Sequence, residues 1–308
     1  MALTLLEAAK KIQNPVQSAV IEMYARSSDI LANLTFQSIS GSALKYNREE
    51  TLPGVGFRGI NESYTESTGV INPQVEPLVI AGGDLDVDKF ILDTMGQAQR
   101  STQEQMKVKA LALSWTKAFI KGDNATEPRE FDGLQTRLTG NQLVEAGATD
   151  GGDALSLAKL DELIDTVDTP THLLMNKAMR RRLTTASRTA SLSGTIQWVK
   201  NEFGEQVAYY GGLPIMIVDT DNTGSDILPF SEVGSGGSTG TACSMYCVSF
   251  ASGRVQGIQN APISARDLGE LDTKPAMRTR VEWYAGLAMF HGRGAARLRG
   301  ISNAAVTA

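Results

Sequence analysis

The chain has 308 residues, 42% hydrophobic and 20% charged, a globular composition long enough for one elaborate domain or two simpler ones around a sizeable core. Its net charge of -5 argues against a protein whose main task is gripping nucleic acid by neutralising phosphates, though not against one that encloses it through weak, non-specific contact. No run of about 18 apolar residues occurs, and Glu7, Lys10 and Lys11 interrupt the stretch where a secretory signal is apolar, so the expectation is a soluble, non-exported protein with no membrane partner.

Residues 1 to 36 read as short helices. Thr4 and Glu7 form a capping box, and Asn14 with Pro15 supplies an N-cap and first turn for a second helix. In that second helix Val16, Ala19, Val20, Met23 and Tyr24 make an apolar stripe. It packs either on this chain's own core or, as an arm, on a neighbouring subunit. From Phe36 to Ile80 the helical period disappears and glycines and prolines punctuate polar segments. So little apolar content predicts two extended arms around a turn at LPGVG, a hairpin that reaches another subunit because it cannot build a private core.

The segment from Asp84 to Lys121 predicts a long helix. Asp84 or Asp86 is the N-cap, acidic residues fill the first turn, Lys117 and Lys121 come late, and Gly122 stops it. Continuous, it is about 55 Å long at 1.5 Å per residue; the alternative is two helices broken at Gly96 or near Ser101. Val87, Ile91, Met95 and Ala98 form an early apolar stripe, and Val108, Leu111, Ala112, Trp115 and Phe119 a late one, while QRSTQEQ between them is polar all round. Buried ends and a wet middle predict a spine crossing an elongated subunit.

Beyond it the pattern is α+β. Helices are predicted over Leu155 to Val167 and Asn176 to about Arg188, then strands in GEQVAYYG, LPIMIVDT, CSMYCVSF and GRVQGIQN. The Gly/Ser-rich TDNTGSDILPFSEVGSGGSTGT reads as a mobile loop. Met277, Thr279, Val281 and Trp283 alternate with Arg278, Arg280, Glu282 and Tyr284, which predicts a long half-buried strand.

Motifs for chemistry fail on context. Gly54-Val55-Gly56-Phe57-Arg58-Gly59 matches the dinucleotide fingerprint, yet no helix follows to receive a pyrophosphate, so the glycines predict a turn at a loop tip and no cofactor. Ser42 and Lys45 have a penicillin-binding spacing without its companion motifs. Asp161, Glu162 and Asp165 fall on the polar face of a helix. Cys243 and Cys247 on one strand face lie roughly 13 Å apart, too far for a disulfide. With only His172 and His291 besides, no metal site or catalytic constellation emerges, and the chain is not expected to be an enzyme. Arg180, Arg181, Arg182 and Arg188 form a basic cluster suited to helix-dipole complementation or intersubunit ion pairs.

The order of parts, with LPGVGFRGINES, DVDKFI, EFDGLQTRL, THLLMNKAMRRRL and YYGGLPIMIVD along it, resembles the major capsid proteins of tailed phages, whose Hong Kong 97-type fold is shared with encapsulins. The resemblance implies an α+β fold with an N-terminal arm over 1–36, an extension loop over 37–82, a peripheral domain with the spine helix over 83–135, an axial domain over 136–260, and return strands with a C-terminal segment over 261–308. It implies self-assembly into pentamers and hexamers of an icosahedral shell around double-stranded DNA, with scaffolding, portal and decoration proteins as further partners. The alternatives are an encapsulin-like cargo compartment and, from another class, a nucleotide-binding enzyme. Intersubunit contacts are expected from Val16, Val20 and Tyr24 on the arm and from Lys45, Arg48, Pro53, Phe57 and Arg58 on the extension loop. Some relatives begin with a scaffolding region of about a hundred residues, whereas here the arm is expected from the first methionine; if scaffolding is used, a separate protein or a removed segment supplies it. Lys45 lies where one branch of the family forms a covalent cross-link, but neither a partner asparagine nor an activating acid is identifiable.

Overall fold

A strand of 16 residues near the C-terminus organises the molecule. The computed structural model describes residues 3–4, 28–95, 98–189, 194, 196–200 and 206–308. The predicted arm helices, including Val16, Val20 and Tyr24, lie outside the described residues, as does the question of a bend at Gly96. Leu3–Thr4 (β1) pairs with Thr35–Ser38 (β2), which follows the short helix Asp29–Asn33 (α1). Ala43–Thr51 (β3) and Val70–Pro77 (β4) form the two-stranded hairpin. Val79–Asp88 (β5) leads into helices Lys89–Met95 (α2), Ala98–Lys121 (α3) and Leu134–Arg137 (α4).

The second half alternates helices and strands: Leu143–Glu145 (β6), Leu157–Thr166 (α5), His172–Met175 (β7), Lys177–Ala186 (α6), Ile196–Lys200 (β8), Gln206–Tyr210 (β9) and Leu213–Ile217 (β10). Glu232–Val233 (β11), Gly240–Val248 (β12), Val255–Gln259 (β13), Ser264–Leu271 (β14), Lys274–Met289 (β15) and Ala295–Ser302 (β16) complete it. One sheet of eight strands runs β6-β16-β12-β7-β10-β9-β8, with β11 on β12. The other has six strands and is built on β15. That strand pairs with β13 from Val255–Met289 to Gln259–Ala285, with β14 along its first half, and on its other edge with β5 from Val79–Ala285 to Asp88–Ala276.

The predicted alternation holds on β15, where Thr279, Val281 and Trp283 are buried and Tyr284 is exposed. Onto this face α3 lays Val108, Ala112, Trp115 and Phe119, all buried. Trp115 lies 5.7 Å from Trp283, 5.7 Å from Phe36 and 5.5 Å from Phe119, centroid to centroid, in the tilted and offset arrangements that aromatic quadrupoles favour. A second core gathers Leu160 and Leu163 of α5, Met179 and Leu183 of α6, and Cys243 and Cys247 of β12. Both cysteines are free thiols, and burial pushes each up to about 12.

The structure corrects the predicted start of the long helix. Residues 79–88 are a strand, so Asp84 and Asp86 are neither an N-cap nor first-turn acids. They face cations across β15: Asp84 takes a two-pronged bond from Arg280 at 2.6 and 2.9 Å, and Asp86 one from Arg278 at 2.6 and 2.8 Å with Lys274 at 2.6 Å. Gly82 suits the strand, because a Cβ there would overlap the Val281 carbonyl oxygen. The early stripe also differs: Val87 is buried in β5, whereas Ile91 and Met95 are exposed and Leu92 takes the buried place in α2. Only the late stripe of the spine meets a core. Ile227 and Leu228, inside the segment predicted as a mobile Gly/Ser-rich loop, are buried in the first core, and the Leu228 carbonyl accepts a bond from Asn176 at 2.8 Å. Strands β6, β7, β8 and β11 were not foreseen, whereas β14 and β16 lie within 261–308, where the resemblance implies return strands.

Two outcomes follow from this packing. Trp115→Ala should lower the urea stability of the unassembled chain by about 3–5 kcal/mol through the cavity it leaves. Trp115→Phe should cost less, because the indole N–H it removes has no hydrogen-bond partner among the described residues. The Arg280 and Arg278 bonds hold Asp84 and Asp86 below the usual carboxylate range. A depressed carboxylate contributes stability above its unfolded value, near pH 4, and loses it as pH falls through the folded one. Amide exchange in β5 should therefore accelerate in acid below about pH 4. In Asp86→Asn it should already be faster at neutral pH.

Candidate interaction surfaces

Strand alternation gives the hairpin two faces. Tyr46 and Arg48 on β3 turn toward the body and are half-buried, whereas Lys45 and Asn47 are exposed. On β4 the only buried residue is Glu76. Its carboxylate receives both guanidinium nitrogens of Arg137, the second at 2.7 Å, and the Tyr46 hydroxyl at 3.2 Å. The same hydroxyl donates to the Met289 carbonyl of β15 at 2.9 Å, and the Tyr46 ring sits 4.7 Å from Phe290. Burial, then the Glu76 charge, pushes Tyr46 up to about 12. Gly286 lets the chains cross here, since a Cβ would stand 2.8 Å from the Pro77 carbonyl oxygen. The root of the hairpin is therefore an ion pair, a phenol and an aromatic contact, all on this chain's own body.

The far end has no such support. Residues 52–73 are all exposed, and the tip carries Val55, Phe57 and Ile60 at 92%, 106% and 94% exposure. A few local bonds shape it: Gly54 N–H to Ser67 Oγ at 2.7 Å, Gly59 N–H to Glu62 Oε2 at 2.7 Å, and Asn61 in the left-handed region at φ 63°. The Arg58 guanidinium lies 5.3 Å over the Tyr64 ring and donates to the Glu62 carbonyl at 3.2 Å. The glycine motif sits in this loop, where neither a preceding buried strand nor a following helix positions amides for a phosphate.

The predicted contact residues do not converge on one site. Pro53, Phe57 and Arg58 share the exposed tip, Lys45 lies on the outer face of the hairpin, and Arg48 turns inward at its root. Sequence reasoning missed Val55 and Ile60 beside Phe57, and Phe90, Ile91, Met95 and Met106 on the early spine, all exposed. Large apolar side chains in a polar, glycine-punctuated stretch were the available signal. In the basic cluster, Arg182 bonds the Asn303 side chain and carbonyl at 3.0 and 2.9 Å, which ties α6 to the segment after β16. Asp161 accepts from Tyr210 at 2.7 Å, an intramolecular role. Among the described residues no three His, Cys, Asp or Glu side chains gather to hold a metal, and no helix is long and apolar enough to cross a membrane.

Residues 13–158 match the family model described as Major capsid protein GP7. No curated protein matches the chain. The fold is similar to the holo-SrpI encapsulin complex from Synechococcus elongatus PCC 7942, with 18% identity, TM-score 0.64, and 91% of this chain and 89% of that one covered. It is also similar to the capsid of a native GTA particle, with 14% identity, TM-score 0.62 and coverages of 90% and 91%. A chain from Mycobacterium phage Bobi matches with 13% identity, TM-score 0.59 and coverages of 88% and 89%.

The anchor at the hairpin root can be tested directly. Glu76→Ala leaves Arg137 half-buried without its carboxylate, and breaking a buried pair in this way costs about 3–5 kcal/mol. Urea unfolding of the unassembled chain should register that loss, and limited proteolysis should cut β3 and β4 sooner than in the parent.

Proposed function

We propose that this chain, a major capsid protein of the Hong Kong 97-type fold, builds an icosahedral tailed-phage shell of pentamers and hexamers around double-stranded DNA. The observation that carries the proposal is the contrast along the hairpin. Its root is bonded rigidly to the body, while its tip presents Val55, Phe57 and Ile60 almost wholly to water. An isolated two-stranded hairpin is marginal at best, so such a tip needs a second surface. Covering a side chain the size of Phe57 contributes about 1.5–3 kcal/mol, repeated at every copy of a closed shell.

On this reading the arm spans 1–36, the extension loop 37–82, the spine and peripheral domain 83–135, the axial domain 136–260, and the return strands with the C-terminal segment 261–308. Pro53, Phe57 and Arg58 contact a neighbour through the tip, Lys45 and Arg48 through the strand below it, and Val16, Val20 and Tyr24 through the arm. The role is structural rather than catalytic. The chain would assemble in the host bacterial cytoplasm with a scaffolding protein and a portal, accept a decoration protein in some shells, and reside in the virion. The net charge of -5 suits a wall that DNA slides past without adhering.

A second reading, an encapsulin-like compartment for protein cargo, is favoured by the TM-score of 0.64 to the encapsulin complex. Electron microscopy and content analysis of particles from the natural source separate the two. Packaged nucleic acid supports the phage shell, and protein cargo without nucleic acid overturns it. The double substitution Phe57→Ser and Ile60→Ser should leave the subunit's melting temperature unchanged and abolish closed particles; normal particles would remove the tip from assembly.

A further inference from the structure

On the body-facing side of the hairpin, farther along β3 and β4 from the Glu76 anchor, a cleft of about 590 Å³ opens between β3, β4 and the turn after β15. No carboxylate is among its lining residues. Arg48 and Asn72, which face each other in register across the hairpin, form one wall. His291, Arg293, Asn141 and Gln142 form the other. Arg48 has no carboxylate partner among the described residues. The Arg293 guanidinium is spent only on main-chain carbonyls, those of Thr166 at 3.2 Å and Asp165 at 3.1 Å, so it caps the end of α5 without losing its charge to an acid. His291 accepts the Arg293 main-chain N–H at Nδ1 at 3.0 Å, which leaves its proton on Nε2, a further donor.

The charges do not balance locally. Burial first, then the charges of Arg254, Arg293 and Arg48, lower the proton affinity of His291, while Asp168, which acts in the opposite sense, is paired with Arg254. Two guanidinium groups are left over, on a chain whose net charge is -5. Several other arginines pair internally, as Arg278 does with Asp86, Arg280 with Asp84 and Arg137 with Glu76.

We infer that this cleft is a socket for a carboxylate side chain of a second copy of the chain, received between Arg48 and Arg293 with His291 Nε2–H beside them. The inference rests on the shell reading above and deepens it. A planar carboxylate matches the fork of an arginine, and bonds between two charged groups are roughly twice as strong as neutral ones. The copy is the occupant because its net charge complements the cleft, and because the cleft continues the hairpin whose tip already lacks a surface of its own. Arg48→Ala should therefore leave the unassembled chain's melting temperature unchanged while lowering the temperature at which particles come apart.

Particles assembled from a mixture of light and nitrogen-15-labelled copies of Arg48→Lys, treated with a zero-length carbodiimide that joins an amine to a carboxylate in contact, give the decisive test. Mass spectrometry should find the peptide containing position 48 joined to an aspartate or glutamate of a differently labelled copy, with the link lost in unassembled protein. Particles that form but yield no such link, or a link only within one copy, overturn the socket and leave the shell reading standing. Absence of particles from the unsubstituted chain overturns both. A parallel arm compares sodium phosphate with sodium chloride at equal ionic strength on the unassembled chain. A saturable rise in melting temperature that Arg48→Ala removes, without the intersubunit link, reassigns the cleft to a free oxyanion and overturns the neighbour as occupant.

Discussion

The packing of the spine helix on β15 is the contact on which the other parts depend. Trp115 and Trp283 are both buried and touch each other, and Phe36 from β2 closes the cluster, so three distant segments meet at one point. With β15 held from its inner face, its two edges can serve different ends. One edge takes β13 and β14, and the other takes β5 in a register that lines Asp84 and Asp86 against Arg280 and Arg278. A one-residue slip of β5 would turn those carboxylates to the opposite face and expose Val87, so the ion pairs and the apolar residue specify the same register.

Because β5 is fixed in this way, the hairpin that precedes it has a defined exit. Pro77 and Val79 are separated only by Leu78, whose N–H bonds the Ser42 carbonyl at 2.8 Å, so β3 and β4 leave the sheet as one unit. Glu76, Arg137 and Tyr46 then hold that unit from inside. A buried ion pair of this sort adds little net stability over an apolar contact, but it tolerates few alternative arrangements. The hairpin therefore gains a fixed direction, because its root does not swing.

The late spine was legible in the sequence because Val108, Ala112, Trp115 and Phe119 repeat at helical spacing, and β15 because apolar and charged residues alternate along it. The hairpin was legible from what it lacked, an apolar face. The strand Val79–Asp88 was misread although Leu85 and Val87 alternate with Asp84, Asp86 and Asp88. Acids before an apolar period also signal a helix start, and the cations that decide between the two lie nearly two hundred residues away. The same distance hid the anchor and the basic cleft. Nothing local marks Glu76 as buried among polar neighbours, and Arg48 meets His291 and Arg293 only once β15 has turned back on the hairpin. Exposed apolar tips could have been noticed, but their isolation from any core on this chain is a property of the fold.

The distribution of charge sets how copies of such a chain can associate. Several arginines are paired with carboxylates of the same subunit, among them Arg100 with Asp267 and Glu104, Arg297 with Glu232 and Arg299 with Glu145, so those cations are not free to attract a neighbour. Each copy carries a net charge of -5, and copies repel at long range. That repulsion is screened beyond roughly 8 Å at physiological salt, whereas apolar contact at Val55, Phe57 and Ile60 acts only on touching and does not weaken with salt. Attraction is thus confined to contacts that demand correct geometry, and encounters between misaligned copies are left repulsive. On the shell reading proposed above, that imbalance would give a subunit specificity in finding many identical neighbours without aggregating.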